Sequence, residues 1–195
     1  MEIFKSSFLA SPYMEKYVLE ALFVMDEADY GLERMKKRFW KMVEESAYTT
    51  LYENFSERED WCTDTSLLPK KSGGGLTLLS QYVCGLYPLE PAWKTFQVKP
   101  QPGFLKSAAT GNETIAGKID VKVDQDKSHS TINLSVPVGT QAIVCFPVDR
   151  KSIKVNGTLI FKRKAVQNEL ASFERSEDGY NRFKVGSGKF TFQAQ

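Results

Sequence analysis

The sequence has few of the residues that build metal centres and covalent scaffolds. Its 195 residues include one histidine, His129, so a three-histidine metal site is excluded and a Ser-His-Asp triad would depend on this residue alone. His129 lies in a polar run that is typical of a turn, and we interpret it as a loop residue. The three cysteines, Cys62, Cys84 and Cys145, form no CxxC pair, which argues against a zinc ribbon or a disulfide scaffold. We expect no metal site and no cofactor.

Long apolar runs and a strong net charge are also missing. The longest apolar runs, such as Ala21 to Met25, are far short of the roughly 20 residues that a membrane-spanning helix requires. The first residues lack the basic and apolar regions of a signal peptide, so no membrane association is expected and the cytoplasm is the default compartment. The formal net charge is +2, and short basic runs such as Lys162-Arg163-Lys164 are interpreted as solvated. Nucleic-acid binding is therefore not expected.

The distribution of charged residues divides the chain into two parts. Residues 1–95 carry 11 basic and 15 acidic side chains, a net charge of −4, whereas residues 96–195 carry 15 and 9, a net charge of +6. The chain is 42% hydrophobic and 12% aromatic, which suffices for a packed core and excludes a disordered or coiled-coil protein. The charge difference indicates two units of different character.

Helical periodicity is confined to the first part. Ser11 is a suitable N-cap, and Pro12 suits the first helical position because its missing N–H would be unpaired there anyway. Apolar residues then recur at intervals of three and four, first over residues 17–25 and again over residues 32–42. A third helical pattern runs from Leu76 to Leu86, where glycine and proline residues stop it.

After about residue 93 the period changes to two. Apolar and polar residues alternate over residues 119–123, 132–136, 142–146 and 190–192, which is the pattern of half-buried strands. The pair Asn156-Gly157 is a strong hairpin signal, because both turn positions require a positive φ. About seven or eight such strands are typical of an antiparallel sandwich. The predicted fold is therefore α+β, with a helical segment over residues 1–90 followed by an antiparallel β-sandwich over residues 93–195.

A long connection over about residues 47–72 concentrates polar and aromatic residues. Loops of this length without secondary structure are uncommon unless they are functional or disordered. Carboxylates such as Glu53 alternate there with Tyr52 and Trp61, as in sugar sites, where rings stack on sugar faces and carboxylates bind hydroxyls or move protons. Composition alone favours the plainer interpretation, a solvated loop whose aromatic residues pack against helix ends.

Short segments along the chain occur in a recognisable order. They are Tyr48-Thr49-Thr50-Leu51-Tyr52-Glu53, the run from Leu76 to Pro88, Pro91-Ala92-Trp93-Lys94, Val98-Lys99-Pro100, Gly117-Lys118-Ile119, and the run from Val136 to Ala142 that leads to Phe146-Pro147. Together they resemble the C-terminal third of bacterial α-L-rhamnosidases. In that family an (α/α)₆ barrel carries the active site and a β-sandwich follows it. The resemblance implies that the helical segment is a remnant of such a barrel.

The resemblance also implies a reaction. The family hydrolyses terminal α-L-rhamnosides with inversion, using a carboxylic acid and a carboxylate base that normally stand about 6.5–9.5 Å apart. The glutamate of the family's T-T-L-W-E motif is the proposed base, and Glu53 matches it. Tyr52, Asn54 and Trp61 are the neighbouring candidates for contact with the sugar. No segment of this chain matches the family's general-acid segment.

The chain departs from the family pattern before its Ser72-Gly73-Gly74. Where the family commonly has Asn-His-Ala-Trp, the chain has Leu68-Pro69-Lys70-Lys71, so a proline and a lysine replace a hydrogen-bonding imidazole and a stacking indole. We therefore expect that the chain is not a competent hydrolase alone. Two alternatives stay open. One is a non-catalytic carbohydrate-binding module that uses surface aromatics such as Trp93, Phe104 or Tyr180, and the other is a structural or interaction remnant of a split or truncated hydrolase.

The resemblance has a consequence for association. Helices without the rest of a barrel would leave apolar side chains such as Phe23, Met25, Phe39 and Trp40 exposed, at about 1.5–3 kcal/mol for each large side chain. Exposed apolar patches usually mark interfaces. We expect a carbohydrate ligand, and a homo-oligomer or a partner chain that covers the helical faces.

Overall fold

Two units make up the fold, Met1–Leu79 and Ser80–Gln195, and each is described by itself. The computed structural model of the protein describes residues 10–44 and 74–195. No helix in these two ranges is long and apolar enough to cross a membrane.

The first unit contains a pair of helices, α1 (Pro12–Val24) and α2 (Ala28–Glu44), and a short helix α3 (Gly74–Leu78). The predicted N-cap is confirmed, because the Ser11 side chain accepts a hydrogen bond from the backbone N–H of Met14 at 3.4 Å. On α2 the predicted apolar residues Leu32, Met35 and Phe39 are each at most 9% exposed. On α1 the predicted face over residues 17–25 is wrong except at Leu22: Tyr17 and Met25 are 47% and 45% exposed, and Leu19 and Phe23 are buried instead.

The expectation of exposed helical side chains is only partly right. Phe23 and Phe39 are buried, because the helices of this unit pack on each other and shield them. Met25 and Trp40 are 45% and 42% exposed, as expected.

The end of the third helical pattern differs from the prediction. A π-helix (Leu79–Val83) follows α3, and Gly85, with φ +74°, stops it as expected. A Cβ atom at Gly85 would lie 2.1 Å from the carbonyl carbon of Lys99, so only glycine fits this approach. The sequence pattern predicts that Leu86 continues the helix, and this prediction is wrong, because Leu86 begins a strand and pairs with Val98.

The second unit is a β-sandwich of two sheets. The five-stranded sheet has the order β1 (Leu86–Pro88), β2 (Thr95–Val98), β6 (Gln141–Pro147), β10 (Tyr180–Val185), β9 (Ser172–Glu177). The six-stranded sheet has the order β3 (Ser107–Thr114), β4 (Gly117–Gln125), β5 (Ser130–Val136), β11 (Gly188–Ala194), β7 (Ser152–Val155), β8 (Thr158–Lys162). All neighbouring strands are antiparallel except β2 and β6, which are parallel. The α+β prediction with a β-sandwich is confirmed.

The core of the sandwich lies between the two sheets. The alternating residues predicted for β4, β5 and β6 all point into it, and Ile119, Ile132 and Val144 are at most 1% exposed. Aromatic rings fill the centre, where Phe146 lies 5.7 Å from Phe192 between ring centroids. Burial of this apolar surface is the main source of the unit's stability.

The predicted hairpin is confirmed at Asn156-Gly157. The two residues have φ +48° and +83°, and the flanking residues Val155 and Thr158 pair across the turn. Strands β3 and β9 show little apolar alternation, and β1 begins at Leu86, where the sequence pattern predicts helix. With these three strands the described part of the chain contains eleven, against a predicted seven or eight.

Candidate functional site

The sequence-predicted catalytic site lies outside the described residues. Glu53, the candidate base, and its neighbours Tyr52, Asn54 and Trp61 all fall within residues 45–73. The structure therefore neither brings these side chains together nor separates them. Their roles stay predictions.

His129 lies in the turn before β5, in keeping with its interpretation as a loop residue. The Asp126 carboxylate accepts hydrogen bonds from the backbone N–H groups of Ser128 and His129, both at 2.8 Å. These bonds lower the pKa of Asp126 to about 2. Within residues 10–44 and 74–195, no group of three or more His, Cys, Asp or Glu side chains is placed to hold a metal ion.

A buried carboxylate lies in the helical unit, at Glu15 on α1. Arg34 on α2 donates to both of its oxygens, through Nε to Oε1 and through a terminal nitrogen to Oε2 at 3.1 Å. Arg38 Nε lies 3.4 Å from Oε2, and Glu15 itself is 0% exposed. Burial alone would lower the pKa of the Arg34 guanidinium, but the hydrogen bond that it donates to Glu15 and the charge of Glu15, together with Tyr30, outweigh burial and raise that pKa. The cluster engages both carboxylate oxygens away from solvent, which suits a structural role.

Both cysteines of the sandwich unit are buried thiols. Burial raises the pKa of Cys84 and of Cys145 to about 11, so both are protonated at neutral pH. Neither has the lowered pKa of a nucleophilic cysteine.

The surface aromatics of the binding-module alternative have different environments. Trp93 is half-buried and packs against Phe96, with 6.2 Å between ring centroids. The Lys99 ammonium lies 4.1 Å from the ring centroid of Tyr180, so one face of that ring already carries a cation. Phe104 is 52% exposed. The ring of Phe104 is therefore the most accessible of the three for stacking on a sugar.

A groove of about 690 Å³ lies on the six-stranded sheet, and sequence reasoning missed it. One row of outward-facing residues crosses four strands in register: Gly111, Asp120, Ser135 and Lys189. The next row consists of Ala109, Lys122, Asn133 and Thr191. The alternation of apolar and polar residues predicts half-buried strands, but no sequence signal shows that β3, β4, β5 and β11 are neighbours.

The shape of the groove follows from side-chain size. Its lining combines small residues, such as Ala109, Gly111 and Ser135, with three lysines. The groove is open to solvent, so it offers a hydrogen-bonding surface for an extended ligand and not an enclosed reaction chamber.

Part of the sandwich unit matches a known protein domain. Residues 85–160 match the model of the bacterial alpha-L-rhamnosidase C-terminal domain. No curated protein matches the chain.

Three solved structures share the fold. An α-L-rhamnosidase from Dictyoglumus thermophilum superposes with a TM-score of 0.71 and 22% identity, over 94% of this chain and 20% of that one. One from Aspergillus terreus gives 0.59 and 20%, over 93% and 19%. One from Streptomyces avermitilis, in complex with L-rhamnose, gives 0.52 and 23%, over 65% and 11%.

The chain thus spans a fifth or less of the length of these proteins. The resemblance to the C-terminal portion of α-L-rhamnosidases, predicted from the sequence motifs, is confirmed.

Proposed function

Because the chain resembles the C-terminal portion of bacterial α-L-rhamnosidases, we propose that it contributes the last barrel helices and the β-sandwich of an inverting α-L-rhamnosidase and does not hydrolyse rhamnosides alone. The observation that carries the proposal is the family match over residues 85–160, which the superposition over 94% of the chain extends to the described helices.

Glu53 is the general base of this proposal. An inverting hydrolase needs a base that activates water and an acid, about 6.5–9.5 Å away, that protonates the leaving oxygen. Among the described residues the one buried carboxylate is Glu15, and Arg34 and Arg38 contact both of its oxygens. Because Glu15 is 0% exposed, a glycosidic oxygen does not reach it. Without an acid across the cleft, a base alone leaves the glycosidic oxygen unprotonated and cleavage too slow to detect.

Incubation of the purified chain with methyl α-L-rhamnoside, whose alkoxide leaving group must be protonated, tests the proposal. We compare the wild type with Glu53→Gln, and use Glu57→Gln as a matched control that removes one carboxylate from the same connection. The expected result is no release of rhamnose above buffer for any of the three proteins. Turnover that disappears only in Glu53→Gln would overturn the proposed inactivity and support Glu53 as the base. Turnover that persists in Glu53→Gln would overturn both the proposed inactivity and the assignment of Glu53 as the base.

Sugar contact is proposed for Tyr52, Asn54 and Trp61. Titration of L-rhamnose into the chain, followed by calorimetry, should give heats that Trp61→Ala reduces. A carbohydrate-binding module is the alternative, and the exposed ring of Phe104 favours it. Glycan affinity that survives Glu53→Gln and Trp61→Ala but is lost in Phe104→Ala would support that alternative.

A further inference from the structure

The groove on the six-stranded sheet has no role in the proposed hydrolase chemistry. It lies wholly within the sandwich unit, on the outer face of strands β3, β4, β5 and β11, and its volume of about 690 Å³ falls in the range of small-ligand sites. Its properties can therefore be judged from its own side chains, independently of Glu53.

Gly111 on β3 leaves room for polar side chains on the floor of the groove. A Cβ atom at this position would lie 2.8 Å from Oδ1 of Asp120, its cross-strand neighbour, and 3.3 Å from Cε of Lys118. The Asp120 and Lys118 side chains therefore occupy the space next to the glycine, and a larger residue at this position would displace them.

Polar groups on the floor are held in fixed positions. The Thr191 hydroxyl donates to Oδ1 of Asn133 at 2.9 Å, which orients the Asn133 amide and directs its Nδ2 donors to other partners. Lys118 Nζ lies 2.8 Å from Oδ1 of Asp120, which holds that carboxylate in the groove. Hydroxyl, amide and carboxylate groups side by side suit the mixed donors and acceptors of sugar hydroxyls.

The charge of the groove selects an anionic ligand. Three lysines and one aspartate line it, a net charge of +2. Lys118 pairs with Asp120, and Lys122 pairs with Asp124 at 3.0 Å, whereas Lys189 forms no ion pair with any residue in the described part of the chain. Lys122 on β4 and Lys189 on β11 belong to the two strands that flank β5 and its Asn133, so a ligand carboxylate would pair with Lys189 and would compete with Asp124 for Lys122.

Other anions fit this surface less well. Phosphate recognition favours guanidinium forks and helix N-termini, and single-stranded nucleic acid favours exposed aromatic platforms. The groove lining includes neither arginine nor a helix end, and its one aromatic residue, Phe190, is 9% exposed and belongs to the core. An extended, hydroxyl-rich chain with carboxylates remains as the matching chemistry.

We propose that the groove formed by β3, β4, β5 and β11 is a non-catalytic binding site for an acidic oligosaccharide, with Lys122 and Lys189 as carboxylate contacts and Asn133 as a hydroxyl contact. This site stands apart from the proposed rhamnosidase chemistry and retains its affinity whether or not Glu53 acts as a base.

Calorimetric titration of the full chain with a hexamer of α-1,4-linked galacturonate tests the proposal. The fully methyl-esterified hexamer is the matched neutral probe. We expect the acidic hexamer to bind, the esterified one to bind at least about fivefold more weakly, and the affinity for the acidic one to fall with added salt. Absence of binding by the acidic hexamer, or equal affinity for both, would overturn the proposal.

Variants locate the site. Lys122→Gln with Lys189→Gln should weaken binding of the acidic hexamer about fivefold or more, whereas Lys162→Gln with Lys164→Gln removes the same charge outside the groove and should leave it unchanged. Gly111→Val should block the floor without changing any charge. Equal losses in both double variants, or full affinity in Gly111→Val with an unchanged melting temperature, would contradict the assigned position.

Discussion

Phe183 lies at the centre of the aromatic core of the sandwich. It is 0% exposed, and its ring centroid lies 5.5, 5.9 and 6.3 Å from those of Phe173, Phe161 and Phe146. Phe183→Ala should lower the free energy of unfolding by about 3–5 kcal/mol, because neighbouring rings cannot close the cavity. Phe104→Ala, at a 52% exposed position, should change it by about 0.5 kcal/mol or less. Urea unfolding measures both, and equal effects would contradict the central role of Phe183.

A second residue-scale prediction concerns the turn at Asp126. Its pKa lies at about 2 in the fold, below its ordinary 3.8, because backbone N–H groups of Ser128 and His129 favour the charged form. The carboxylate therefore stabilises the turn fully above about pH 4, and this contribution is lost as the pH falls through about 2. Amide NMR shifts of Ser128 and His129 should report that transition.

Asp126→Asn should remove this pH dependence, since the amide does not titrate, whereas Asp149→Asn should preserve it. A transition centred near pH 4 in the wild type would contradict the lowered pKa.

Among the structural elements, the helix pair α1 and α2 depends on the buried cluster at Glu15. Glu15→Gln should leave Arg34 and Arg38 as buried cations without their anion, which destabilises the helical unit by about 3–5 kcal/mol. Far-UV circular dichroism during thermal unfolding should show early loss of helix. Glu33→Gln, on the exposed face of α2, is the matched control and should melt as the wild type does. Identical melting of both variants would contradict the role of the cluster.

The elements also show how far local sequence patterns reach. Ser11 and Pro12 correctly predict the start of α1, and Asn156-Gly157 correctly predicts the β7–β8 turn, because caps and tight turns depend on a few adjacent residues. Strand β3 has no large apolar residue, so the sequence shows no alternation of apolar and polar residues that would predict this strand. The parallel pairing of β2 with β6 joins residues more than 40 positions apart, and no local pattern encodes such a contact.

At the scale of the whole molecule, the exposed apolar residues of the helical unit predict self-association. Val24, Met25, Trp40 and Val43 are 68%, 45%, 42% and 75% exposed. A second copy of the chain can cover these side chains and recover their burial. Light scattering at micromolar concentration should therefore give a mass above that of one chain.

Val24→Lys with Val43→Lys should lower that mass towards the monomer, because a charged side chain in an apolar interface is costly. Ile115→Lys with Val138→Lys places the same charges on exposed apolar residues of the sandwich and should leave the mass unchanged. A monomeric wild type would contradict the prediction.

The sequence alone determined that helices come first and strands follow, the α+β class and the likeness to α-L-rhamnosidases, because periodicity, caps and motifs depend on neighbouring residues. It also singled out Glu53 through a motif, without any geometry. Only the tertiary structure decided that Glu15 is held by Arg34 and that Gly111, Asn133 and Lys189 share one groove. These residues lie far apart in the chain, and they become neighbours only when helix packing and strand register bring them together.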